Sequence, residues 1–272
     1  MMKLSIVLST QPATFNALAY KGKLAENIAK IKILGYDGVE LAVRDPGLLN
    51  LSELKKILKE NSLPVPAIGT GQAYGEEKLS FTDPDEKIRR QAIKRIKSHI
   101  NLADQLGAVV IIGLVRGKIG SDVDERQAEQ WLIEALRECA SENRAVKIVI
   151  EPINRYETDI INAVDSGMKF LDKLKQENIG LLFDTFHANI EEPSIIDSII
   201  MAKDQLFHFH VADSNRWYPG AGHIDFRVII DTLVKISYNG FISAEIMPLP
   251  DADTAARKTY ENMKKILEQI ST

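Results

Sequence analysis

The sequence predicts one α/β domain spanning residues 1–272, a single (β/α)8 barrel whose functional groups sit at the C-terminal ends of its strands. Three observations lead there. Eight short apolar runs, of the kind left by parallel strands buried on both faces, are spread along the whole chain. Segments with helical periodicity separate them, and the length suits the roughly 250 residues such a barrel takes. The first run leads into STQPATFNALAYKGK, not into the glycine-rich phosphate turn that an open doubly wound sheet usually carries at that point.

The elements follow in order. Leu4–Leu8 is the first strand: the opening MMKLSIVLSTQ superficially resembles a secretory leader, but its apolar run is short and no small-residue cleavage site follows. Gly38–Val43, Val65–Ile68 and Ala108–Leu114 are the next three strands, and Val146–Ile150, Gly180–Phe183, Leu206–Val211 and Gly240–Ala244 the last four. Between the third and fourth, Ile88, Ala92, Ile93, Ile96, Ile100 and Ala103 mark one face of a helix, with Asp83 as its expected N-cap, Pro84 in its first turn and Glu86 completing a capping box. Gly35, Gly107 and Gly240 are expected as helix stops just ahead of strands. No linker or low-complexity segment divides the chain.

Composition narrows the function classes. Lys and Arg total 34 against 38 Asp and Glu, a net charge of −4 with no block of one sign, which argues against a nucleic-acid surface or a basic membrane helix. No run approaches the ~18 apolar residues that a membrane span requires. The one cysteine, Cys139, has no partner for a disulfide, so the expectation is a reducing, cytoplasmic setting.

In a barrel of this type the residue that closes each strand deserves inspection, and the last four strands all close on ionisable groups. VKIVIE ends at Glu151, IGLLFD at Asp184, LFHFH at His210 and FISAE at Glu245. One such ending is an ordinary helix cap. Four in succession place three carboxylates and an imidazole on one rim, where they repel one another without a cation and form a reasonable ligand set for a divalent metal. His208 shares the face of His210 by the two-residue strand period, so it points into the barrel one layer lower and is expected to support the layer above. His99, among lysines, is expected at the surface, and His223 as a loop anchor. Arg44 and Arg116 follow the second and fourth strands and are expected on the rim, where a guanidinium binds a carboxylate through two parallel hydrogen bonds and would select an acidic sugar.

The segments IEPINRYET, FDTFHANIEE, FHFHVADSNRWYPGAGHIDF and ISAEIMPLP resemble the xylose-isomerase-like superfamily of sugar isomerases and epimerases, in particular its D-tagatose 3-epimerase-related branch. The resemblance spans the whole chain and extends to members that epimerise keto-uronic acids such as 5-keto-L-gluconate. It implies one divalent ion per chain, Mn2+ first and Mg2+ or Co2+ as alternatives, held by Glu151, Asp184, His210 and Glu245. It further implies Glu151 and Glu245 as the acid/base pair, Glu157, His187 and Arg216 as contacts to a small sugar or sugar acid, and a homo-oligomer.

Inverting a stereocentre beside a ketone requires removing a weakly acidic C–H proton and returning one to the opposite face. Glu151 and Glu245 close strands five and eight, roughly 135° apart about the axis of an eight-stranded ring, and can flank a substrate held between them. The expected activity is a metal-dependent 3-epimerase of ketoses or keto-sugar acids. An aldose–ketose isomerase or a sugar dehydratase would share the same metal site. An endonuclease IV-like nuclease would need more histidine ligands than five histidines allow and a basic groove. A non-catalytic sugar-binding protein would have no use for the complete constellation.

Overall fold

The computed structural model describes residues 2–120 and 123–270. Eight parallel strands close into a barrel: β1 (Lys3–Ser9), β2 (Gly38–Ala42), β3 (Ala67–Gly69), β4 (Val109–Ile112), β5 (Ile148–Ile150), β6 (Ile179–Asp184), β7 (Leu206–Val211) and β8 (Phe241–Ala244). Each pairs with the next, and β8 returns to β1 from Lys3 opposite Phe241 to Ile6 opposite Ala244. A two-residue strand, Tyr20–Lys21, extends the sheet beside Leu8 and Ser9. All eight apolar runs read from the sequence become barrel strands, with ends shifted by a few residues.

Alternation along the strands decides what faces where. Leu4, Ile6 and Leu8 of β1 enter the main core under the helices, whereas Val7 belongs to a separate cluster with Leu18 and Ala42 inside the barrel. Ala67, Ile111, Val149 and Leu182 make a second interior cluster. Buried polar residues share the interior with them, among them Ser5, Ser9, Glu40, Asp184, His208, His210 and Ser243. The barrel is therefore plugged by side chains and carries its ionisable groups toward the strand ends.

Ten helices lie among the described residues: α1 (Leu24–Leu34), α2 (Leu51–Asn61), α3 (Gly71–Glu77), α4 (Glu86–Leu106), α5 (Glu125–Glu142), α6 (Val164–Leu174), α7 (Thr185–Glu191), α8 (Ile195–Ala202), α9 (Phe226–Lys235) and α10 (Ala252–Ile270). The short α3 and α7 follow β3 and β6 directly and build the rim. None of the described helices is long and apolar enough to cross a membrane.

Three local expectations are corrected. The cap of α4 is Asp85, which accepts from Lys87 N at 2.8 Å, because Asp83 instead closes a turn onto Asp85 N at 2.8 Å and delays the helix by two residues. Gly35 and Gly107 do end helices at φ 100° and 69°, but Gly240 does not; α9 stops at Lys235 and Ser237 takes the left-handed position at φ 61°. His99 is fully buried, not on the surface: it continues the stripe of Ile96, Ile100 and Ala103, and its ring nitrogens lie 2.8 Å from Arg95 O and Val43 O, tying α4 to the end of β2.

Candidate active site

Strand β6 ends on Asp184, and β7 carries His210; Glu151 and Glu245 immediately follow β5 and β8. Parallel pairing puts Asp184 opposite His210, and the four side chains offer ligand atoms that all lie within 4.8 Å of one another. His210 Nδ1 is 3.7 Å from Asp184 Oδ2 and 3.9 Å from Glu151 Oε1. These three atoms are buried and have no hydrogen-bond partner. Orphaned acceptors of this kind are costly unless something positive meets them, so the donor set fits one divalent ion.

The electrostatics agree. Burial, together with neighbouring Glu245 and Asp184, pushes the Glu151 carboxyl well above the usual carboxylate range against the pull of His210. Burial also raises Glu245, despite Arg216 beside it. Asp184 is held low: burial opposes this, but His187 and His210 outweigh it. Two carboxyls that resist ionisation beside a third that stays ionised describe a site short of positive charge.

Around this cluster the sequence-expected contacts assemble. Arg216 donates to Glu157 Oε1 at 3.0 Å and to Glu245 Oε2 at 2.8 Å, and its guanidinium lies 5.0 Å from the Phe15 ring centre and 4.7 Å from that of Phe186. The loop that presents it is tied by Asp213, whose carboxylate accepts from Ser214 N, Gly220 N and Ile224 N. That explains the PGAG segment, since a Cβ at Gly222 would stand 2.3 Å from Asp213 Oδ1. His223 is exposed and contributes its backbone N–H to Ser214 Oγ.

His187, in the first turn of α7, is buried, and that burial brings its pKa down to about 4, leaving a neutral ring. Asn154 decides its tautomer. Asn154 Oδ1 accepts from Tyr156 N at 3.0 Å, so its amide group is the donor that reaches His187 Nδ1 at 2.7 Å and Glu157 Oε1 at 3.0 Å. His187 therefore carries its proton on Nε2, the nitrogen 3.8 Å from Glu151 Oε1.

Three of the four clustered side chains, Glu151, His210 and Glu245, line a cavity of about 430 Å³, together with Phe15, Leu18, Gln72, Glu76, Leu114 and Met247. Glu151, Glu157, His187, His210, Arg216 and Glu245 all line it. Arg44 and Arg116 do not. After β4 the chain turns through a 3-10 segment, Leu114–Arg116, which folds Arg116 inward; it is fully buried and donates to the carbonyls of Gly113, Glu151, Ile160 and Ile161. Arg44 turns toward Glu77, with Nε 3.5 Å from its carboxylate. The expectation that these two arginines face the substrate is corrected: one is caged by carbonyls, the other paired with an acid of α3.

Two residues escaped the sequence reading. Asn154 is one, a neutral side chain with no signature of its own. Glu40 is the other, fully buried on β2 with both carboxylate oxygens on histidines of β7. A lone carboxylate inside the apolar run GVELAV was the available signal.

Comparison with known proteins adds to this geometry. Residues 28–266 match the family model described as Xylose isomerase-like TIM barrel. The chain is 30% identical over 217 residues to an L-ribulose 3-epimerase of Methylomonas sp. (strain DH-1), covering 78% of this chain and 74% of that one. It is 31% identical over 227 residues to a D-psicose 3-epimerase of Ruminiclostridium cellulolyticum, covering 80% and 76%. The crystal structure of a D-allulose 3-epimerase from Methylomonas sp. in complex with D-allulose superposes with a TM-score of 0.81 at 25% identity, over 97% of this chain and 98% of that one.

Proposed function

The chain belongs to the xylose isomerase-like TIM barrel family, and from that premise we propose that it is a divalent-metal-dependent sugar epimerase that inverts carbon 3 of ketoses or keto-sugar acids by proton transfer through an enediolate. The observation that carries this reading is the convergence of Glu151, Asp184, His210 and Glu245 beside a sugar-sized cavity that three of them line, with buried ligand atoms left unpaired.

A divalent ion held by these four residues would supply Lewis-acid stabilisation of the charge that develops on the ketone oxygen. The chain's own groups do the rest. Glu151 and Glu245 approach from different strands, and one takes the C3 proton while the other returns a proton to the opposite face. A carboxylate accepts a proton and its acid form returns one, so each glutamate can serve either face of the carbon. Arg216 orients Glu245 and Glu157 together. His187 offers a neutral Nε2–H donor to the substrate oxygens. Phe15 and Leu18 give the cavity part of its apolar lining.

Mn2+ is the proposed ion, with Mg2+ or Co2+ as substitutes, because three carboxylates and one imidazole suit a hard to borderline cation. The ligand is a small sugar or sugar acid, and the protein is assigned as a cytoplasmic homo-oligomer. The family resemblance supports the assembly; the lone buried Cys139 supports the compartment.

Incubating the Mn2+-loaded protein with ketoses and keto-uronates in D2O, with products identified by NMR, is expected to give C3 epimers carrying deuterium at C3. An aldose product, loss of water, or complete retention of the substrate's own C3 hydrogen would overturn the reading. Glu151→Gln and Glu245→Gln keep an oxygen ligand but remove the base, so each should abolish epimerisation, with metal content measured beside activity.

A further inference from the structure

We infer that Glu40 is a positioning residue of the metal centre: through His210 it fixes which imidazole nitrogen faces the ligand cluster. The inference rests on the metal-dependent reading above. Glu40 is 1% exposed, reaches across the barrel interior from β2 to β7, and gives one oxygen to each histidine there. His210 Nε2 lies 2.9 Å from Glu40 Oε1, and His208 Nε2 lies 2.7 Å from Oε2.

A carboxylate only accepts, so each Nε2 carries a proton. In the neutral ring that a cation requires, that leaves Nδ1 of His210 as the lone pair. Nδ1 is also the atom without a hydrogen-bond partner, the one that faces Asp184 and Glu151. The alternative tautomer would aim an N–H at the carboxylates and close the ligand position. His208 occupies the second oxygen from the layer below and packs edge-on against His210, ring centres 5.2 Å apart, so Glu40 is held from both sides. The orienting carboxylate also strengthens the imidazole as a donor to a cation.

The test compares Mn2+ binding by calorimetry in the full-length wild type, Glu40→Gln, Glu40→Leu and His208→Gln, each first shown to be folded by circular dichroism. Glu40→Gln preserves volume and serves if Glu40→Leu does not fold. The Glu40 variants are expected to bind Mn2+ about 10- to 100-fold more weakly. His208→Gln keeps a donor to Glu40 and leaves His210 in place, so it should stay within about threefold of wild type; a purely structural role for the cluster would affect it equally. Long-range 15N–1H spectra of histidine-labelled, Zn2+-loaded wild type should show the His210 proton on Nε2, and a proton on Nδ1 there would overturn the inference. Folded Glu40 variants that match the wild-type Mn2+ affinity would overturn the inference alone. A wild type that takes up no metal would overturn the proposed function, and this inference with it.

Discussion

Asn154 shows how much of this site depends on a side chain that touches no reacting atom. Its amide points one way because Tyr156 N–H claims its oxygen, and its two N–H groups then serve His187 and Glu157. Asn154→Asp changes almost no volume but replaces those donors with acceptors. The His187 proton would move to Nδ1, the Nε2 donor would be lost, and Glu157 would meet a like charge. The expected outcome is a kcat at least about tenfold lower, in line with roughly 1.5–3 kcal/mol for a charge-assisted hydrogen bond, with Mn2+ affinity retained because no ligand is touched. Steady-state kinetics beside metal calorimetry checks it; an unchanged kcat would remove Asn154 from the mechanism.

At the level of elements, the 3-10 turn after β4 and the loop after β5 act as one piece because Arg116 joins them. Its guanidinium satisfies carbonyls on both segments, including that of Glu151 itself. Burial lowers its pKa to about 10, with Glu151, Asp159 and Glu157 pulling the other way, so the group stays charged at neutral pH. Arg116→Lys keeps the charge but loses the planar fork, and an ammonium cannot reach all four carbonyls. Unpaired buried carbonyls should cost at least about 2 kcal/mol, read as a lower urea midpoint. Turnover should fall as well, since Glu151 and Glu157 ride on the loop it pins. A lysine variant as stable and active as wild type would show that the cage is incidental.

For the whole molecule, the cluster at the barrel mouth is a local electrostatic liability that a bound cation relieves. Glu151, Asp184 and Glu245 come together only in the folded chain, so a divalent ion binds the native state far better than the unfolded one. Mn2+ at a hundred times its Kd should therefore add about 2.7 kcal/mol of stability, and chelation should remove it. Thermal melts with EDTA and with Mn2+ check this, and Glu151→Gln should narrow the gap between them. A melting temperature indifferent to both additions would argue against a metal at this position.

The barrel was legible because its signal is local and repeated: strands buried on both faces must be apolar throughout, and a polar residue that ends such a run marks the rim. Glu151, Asp184, His210 and Glu245 could be picked out for that reason, and the two-residue strand period alone placed His208 beneath His210. Other assignments needed the third dimension. His99 looks polar among lysines, yet its spacing from Ile96 and Ala103 turns it inward. Arg116 sits one short turn beyond a strand, and the direction of that turn, which propensity leaves open, decides whether it meets a substrate or a cage of carbonyls. Glu40 and His210 are 170 residues apart. No local pattern links them; only closure of the barrel brings a carboxylate from β2 to an imidazole on β7, because a hydrogen bond across an interior is a property of the closed ring and not of any segment in it.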